Sequence, residues 1–393
     1  MPIFHPKKWA TEHFAHANLG DIRRTRRLVS VGQQIATFSG ESMERMERAC
    51  NGVDAKLEGT YRLIRNEYVI PNNIRRAGFQ CTAKNALNFN EILAIEETTS
   101  LSYKHSVASD LGKLGQSKDK SRGWWVHSIL LLDSITTQTI GLIYQDGWLR
   151  PNVSDETDEK ESGKWADASF FMRKYLDKTI SKVISVCDRE ADIKAYMEDK
   201  MRHSERFVVR AKHNRKLNEI DSKLFDFMSD QDVIGSHLID IPQKGIKNKK
   251  TGKTVNRPNR TAELQVKTGK IRIGEMDINV VSAEETGTND EKLSWVLLTT
   301  ESINTLQDAL KILDIYTARW RREDFHKAWK TGAGVERLRM TSPDNLERVA
   351  SILAFVAVRL LQLKEALCVS IYLKKKGLIK KAKIHEKTNI TRC

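Results

Sequence analysis

The 393-residue chain reads as an α/β protein: a mixed sheet covered by helices, preceded by a small helical domain and interrupted by a β-strand insertion. Three observations predict it. An arginine-rich helical pattern follows Asp21 near the start. From about residue 90, apolar β-branched runs alternate with helical ones. A second series of strand-like runs then fills about 213–300, before long helical patterns at the end.

In residues 1–70, Asp21 is placed to cap the helix IRRTRRLVSVGQQIATF, which stops before Gly40. Arg23, Arg24, Arg26 and Arg27 crowd its first turns, where they oppose the helix dipole. Four cations at that end point to a phosphate partner; the plain alternative is a solvated face. Arg62 and Arg65 form a second basic pair in YRLIRNE. EILAIEETTS (91–100), WWVHSILLLDS (124–134) and TIGLIYQDGWL (139–149) read as adjacent strands. WADASFFMRKYLD reads as a helix, and KVISVCDRE (182–190) as a short buried strand ending at Asp188. ADIKAYMEDKMR follows as a helix and RFVVRAK (206–212) as a strand. In the insertion, SHLIDIP, AELQVKTGKIRI, INVVSAE and LSWVLLTT read as a meander. Its loop KGIKNKKTGKTVNRPNR (244–260) holds seven basic residues and no acid, but lacks the glycine spacing of a phosphate loop. Long helices are expected at roughly 304–331 and 343–368, so that residues 71–370 form one domain ahead of a basic tail, 371–393.

Lys and Arg outnumber Asp and Glu by 66 to 51, a net charge of +15, so an anionic partner is expected, nucleic acid ahead of membrane. The five cysteines form no CxxC and no regular framework, which argues for a reducing compartment and against structural zinc. The start, MPIFHPKKWATEHF, has no apolar signal core. The longest apolar run, SILAFVAVRLLQL (351–363), is too short to span a bilayer and contains Arg359. The expectation is a soluble, cytoplasmic, nucleoid-associated protein with no membrane partner.

The stretch YTARWRREDFHKAWK (316–330) bears the most chemistry. On one α-helix, Tyr316, Arg319, Glu323 and Lys330 would fall within an arc of roughly 60°, with Ala318, Phe325 and Trp329 opposite. Such a stripe alternates groups that grip phosphate with one carboxylate that can hold a metal. An ordinary i,i+4 pair between Arg319 and Glu323 on a solvated face is the plain alternative. Phosphoryl transfer on DNA can use two divalent ions roughly 3.5–4 Å apart, each needing one or two protein carboxylates. Glu97 near the end of the first sheet strand, Asp188 at the end of VISVCD, and Glu323 have the positions such a site uses.

The blocks TTSLSY, DKSRGWWVHS, DEKESGKW, VCDREAD, ERFVVR, FHKAWKTGAG and PDNLER carry a resemblance. From about residue 18 to 366 the chain resembles the cut-and-paste DDE transposases of the insertion-sequence-four group. The resemblance implies a ribonuclease-H-like core with a β-strand insertion. It also implies a triad binding two Mg2+ or Mn2+ ions, and DNA cleavage through a hairpin followed by transfer of the 3′ end to target DNA. Matched residue by residue, the catalytic and metal-binding positions are Glu97, Asp188 and Glu323. Tyr316, Arg319 and Lys330 would grip the terminal phosphates, and Trp295 would stack on a flipped thymine. Arg27 and Arg62 would contact double-stranded transposon-end DNA, while Arg189, Arg210, Lys212 and His213 would line the cleaved strand. The implied partners are end DNA, target DNA and a second copy of the chain, as a homodimer assembled on DNA in the synaptic complex.

Two departures follow from the same comparison. The family has an aspartate where AIEETTS places Glu97, and Glu96 cannot replace it because neighbouring strand residues face opposite sides. A longer ligand can hold metal while misplacing it, and an error of about 1 Å can cost about a hundredfold in rate. Relatives also continue beyond the position of residue 393, with a dimerisation region of which 371–393 would be a remnant. Three readings follow: a DDE transposase weakened at position 97, a DNA-binding inhibitor that recognises ends without cutting, and a sequence-neutral nuclease. The basic N-terminal domain argues against the last.

Overall fold

Proline opens the first helix, α1 (Pro6–Phe14), where its missing amide costs no helical bond. Asp21 opens the next, α2 (Ile22–Phe38), its Oδ1 accepting the Arg23 amide at 2.8 Å as the sequence predicts. With α3 (Asp54–Ile64) and α4 (Pro71–Ala86) they form the helical start of the chain. Trp9, Phe14, Leu28, Ile35 and Ile64 are buried among them. Here and below, the computed structural model describes residues 2–38, 54–115, 121–150, 161, 163–218, 220–241, 246–247, 254–255, 260–287 and 292–375.

The contacts divide the chain into two units: Met1–Val183 with Trp320–Cys393, and Ile184–Arg319. In the first, β1 (Ile92–Tyr103), β2 (Gly112–Lys113), β3 (Arg122–Asp133) and β4 (Thr139–Trp148) are antiparallel, with β3 paired to the other three. Glu97 lies opposite Ser128 in the β1–β3 register. Residues Ile92 to Glu96 are buried without alternation, as in a strand covered on both faces. The helix α5 (Gly163–Leu176) follows, close to its expected place.

The second unit supplies the parallel component of the fold. Strand β5 (Val183–Cys187) leads through α6 (Lys194–Arg202) to the parallel strand β6 (Arg206–Arg210). The α6 helix starts later than ADIKAYMEDKMR predicts, because a 3-10 turn, Arg189–Ala191, intervenes. A short helix, α7 (Leu224–Ser229), precedes the meander β7 (Gly235–Ile241), β8 (Arg260–Ile273), β9 (Met276–Glu285) and β10 (Ser294–Thr299). These pair in sequence order, and β10 closes against β6. Most of the basic loop at 244–260 lies outside the described residues, as does the tail from residue 376.

Helix α8 (Leu306–Thr317) begins at a capping box between Thr305 and Asp308. The continuous helix expected to residue 331 does not form. A 3-10 turn, Ala318–Trp320, separates α8 from α9 (Arg321–Lys327), and a π-turn, Ala328–Gly332, follows. The chain then enters α10 (Pro343–Lys375) of the first unit. The α10 side chain of Arg359 reaches back to the carbonyls of Ile3 and Ala36 at 3.0 and 2.7 Å. The fold is thus mixed α/β behind a helical N-terminal segment.

Candidate active site

The arginines of α2 and α3 share one cleft of about 540 Å³, lined by Arg23, Arg24, Arg27 and Arg62 with Asp21 and Glu58. Arg62 Nε donates to Glu58 Oε1 at 2.8 Å, and Arg23 forks onto Asp21. Arg24 lies 4.8 Å from the Tyr68 ring centre. Gly59 makes room for Arg27: a Cβ at this position would lie 2.6 Å from its Nη1. The cleft therefore presents exposed guanidinium groups on two helices, a form suited to a phosphate backbone.

In the first unit, Glu97 on β1 forms an ion pair with Arg322 of α9, and both side chains are largely buried, at 14% and 18% exposure. Burial lowers the Arg322 pKa to about 10, partly offset by the neighbouring Glu323. The α9 helix is held on its other side, where Arg321 pairs with Asp324 and with Glu365 of α10. Glu365 in turn accepts the Thr139 amide at 2.9 Å and hydroxyl at 2.7 Å. Beyond the π-turn, Glu336 accepts the Ser102 amide at 2.9 Å and lies 3.9 Å from Lys330 Nζ. Lys330 sits below its usual pKa because it is largely buried, with Glu336 pulling the other way. The expected residues Glu97, Glu323 and Lys330 thus belong to one unit.

Asp188 belongs to the other. It ends β5 and caps the following turn, accepting the Glu190 amide at 2.9 Å. Arg210 at the end of β6 donates to the Ser294 carbonyl at 2.7 Å. Trp295 and Tyr316 are both 2% exposed and meet edge to face, with centroids 5.0 Å apart. Arg319 lies 5.5 Å from the Tyr316 ring centre. Burial raises the Tyr316 phenol pKa; Arg319 and Arg210 oppose this, and Asp188 adds to it. Burial lowers the Arg210 pKa, and Arg189 and Arg319 lower it further. Arg189, Arg210, Lys267, Glu284, Ser294 and Trp295 line a cavity of about 260 Å³. Lys212 and His213 are exposed side chains on a loop whose amides donate to buried Asp192 at 2.7 and 2.9 Å.

The single-helix stripe through residues 316–330 is therefore corrected. A 3-10 turn at Ala318–Trp320 and a π-turn at Ala328–Gly332 interrupt the helix, and Tyr316, on α8, is buried rather than presented on an open face. Ala318, Phe325 and Trp329 are buried, as the pattern predicts. Arg322 and Asp192 carry contacts that the sequence reading did not assign. Arg322 stood within the charged stretch and Asp192 within VCDREAD, but neither position signals its partner.

Against this geometry, residues 6–69 match the model of the transposase DNA-binding family, and residues 171–359 match that of the transposase DDE domain. The chain carries a transposase DNA-binding domain and a DDE transposase domain. The first contains the cleft with Arg27 and Arg62; the second contains Asp188, the Trp295–Tyr316 pair and Glu323. Together with the mixed sheet, the DDE domain gives a ribonuclease-H-like fold. Glu97 lies outside both matched stretches.

Among the described residues, no three His, Cys, Asp or Glu side chains are grouped to hold one ion. The donor type nevertheless suits Mg2+ or Mn2+, which prefer carboxylate oxygen. Glu97 also holds a cation already, the guanidinium of Arg322. Among the described residues no helix is long and apolar enough to cross a membrane.

Proposed function

We propose that the chain is a cut-and-paste DNA transposase of the insertion-sequence-four group. The observation carrying this reading is the DDE domain, in which Asp188 ends a buried strand within electrostatic reach of Tyr316, beside Arg210 and Arg319. Exposed cations in the separate N-terminal cleft add an independent DNA grip.

In this reading Arg27 and Arg62 hold the double-stranded transposon end. Arg189, Arg210, Lys212 and His213 follow the strand to be cut, while Arg319 and Lys330 take the terminal phosphates. Tyr316 supports Arg319 and backs Trp295, whose ring receives an unstacked base; because Trp295 is covered in the DNA-free chain, base entry requires local opening. Glu97, Asp188 and Glu323 would hold two Mg2+ or Mn2+ ions, which would neutralise phosphate charge and activate the attacking oxygen, a water for nicking and hairpin opening and the DNA 3′ hydroxyl for hairpin formation and strand transfer. A second copy of the chain would complete a DNA-dependent synaptic pair. The residues from 71 to 370 would act as the catalytic domain, behind an end-binding domain at 1–70.

One observation favours a second reading, an end-binding inhibitor that cuts weakly: Glu97 is both longer than the family's aspartate and already paired with Arg322. Supercoiled plasmid carrying two transposon ends, incubated with Mg2+ or Mn2+, separates the two. Excised linear DNA supports the transposase. Intact plasmid with a specific end gel shift selects the inhibitor, and the absence of both cutting and end binding overturns both.

A further inference from the structure

The ion pair between Arg322 and Glu97 places a cation on the carboxylate assigned to metal. Arg322 has an acidic neighbour, Glu323, yet its guanidinium lies on β1. The α9 helix has a second anchor. Arg321 already ties that helix to Glu365 and Asp324, and Phe325 and Trp329 are buried beneath it. A buried ion pair of this kind makes its strongest contribution through the cost of separating it.

We propose that Arg322 is an internal stand-in for the active-site cation: it closes on Glu97 in the DNA-free chain and opposes divalent-ion binding there. The proposal rests on the reading of Glu97 and Glu323 as metal ligands. A guanidinium and a divalent ion compete for the same carboxylate, because each is satisfied by its oxygens and the two cations repel at short range. Opening the pair leaves Arg322 needing another anion, and a DNA phosphate meets that need with the same forked geometry. Arrival of DNA thereby releases Glu97, so metal affinity is coupled to substrate. Arg322 acts through Glu97 and is a positioning residue.

The test is Mn2+ binding to the DNA-free protein, followed by electron paramagnetic resonance of the free ion. R322M should bind Mn2+ at least about tenfold more tightly than wild type, since a like charge beside the ion is removed. R322K, which keeps the charge, should stay within about threefold of wild type, and E97Q/R322M should lose the gain. Thermal melting of each variant establishes that it is folded. Unchanged or weaker binding by R322M, with E97Q weaker than wild type, overturns the stand-in while leaving the metal reading intact. An equal gain in R322K traces the effect to loosened packing and also overturns it. If E97Q and E323Q both bind like wild type, the metal reading fails and the proposal fails with it.

Discussion

Glu97→Asp tests what chain length does at the first carboxylate. The substitution retracts the carboxylate by one methylene, about 1 Å, the scale on which misplacement can cost about a hundredfold in rate. It also lengthens the pair with Arg322. At an effective dielectric constant of about 20, widening such a pair from about 3 to about 4 Å weakens it by about 1.4 kcal/mol. Both side chains are more than four-fifths buried, so little of that is screened away. Ligand position and a weakened counter-cation act in the same direction, and strand cleavage should rise at least about tenfold. End affinity should stay within about twofold, because Arg27 and Arg62 lie in the N-terminal cleft rather than beside β1. Single-turnover cleavage of an end-containing duplex, with gel shifts on the same duplex, reads both quantities. Equal cleavage by the two proteins would refute the claim that the longer side chain limits activity.

Three further outcomes follow from local geometry. Gly59→Ala should displace Arg27, whose Nη1 lies 2.6 Å from the introduced Cβ, and weaken end binding by about 1–3 kcal/mol with little loss of fold, measured by gel shift and melting. Gly78→Ala brings a Cβ within 2.2 Å of the buried Phe355 ring and should destabilise by about 1–3 kcal/mol in urea unfolding. His13 is held neutral by burial, with a nearby Arg359 also lowering its pKa to about 4 against a hydrogen bond to the Trp9 carbonyl. Its folded pKa is depressed, so as pH falls below 6.5 the unfolded chain takes up a proton that the native chain refuses. That removes about 2 kcal/mol of stability between pH 7.5 and 5, and His13→Leu should flatten this part of the urea profile.

The sequence by itself determined the local elements and their chemistry. Ile92 to Ile95 and Val183 to Cys187 have strand propensity, so β1 and β5, with Asp188 directly after β5, were legible from short-range pattern; β1 however runs on to Tyr103, which leaves Glu97 in mid-strand rather than near the end where the sequence placed it. Asp21 marked the start of α2 because a cap satisfies donors only a few residues away. The tertiary structure decided what depends on distant neighbours. Ala318, Arg319 and Trp320 are all compatible with an α-helix, so propensity could not reveal the 3-10 turn that interrupts it, and only packing set the buried Tyr316 ring against Trp295. Nothing near Glu97 in the sequence announces Arg322, and nothing near Arg27 announces that its guanidinium packs over Gly59. Periodicity records which side of an element is apolar; the identity of the group that meets a side chain is set only when remote segments pack.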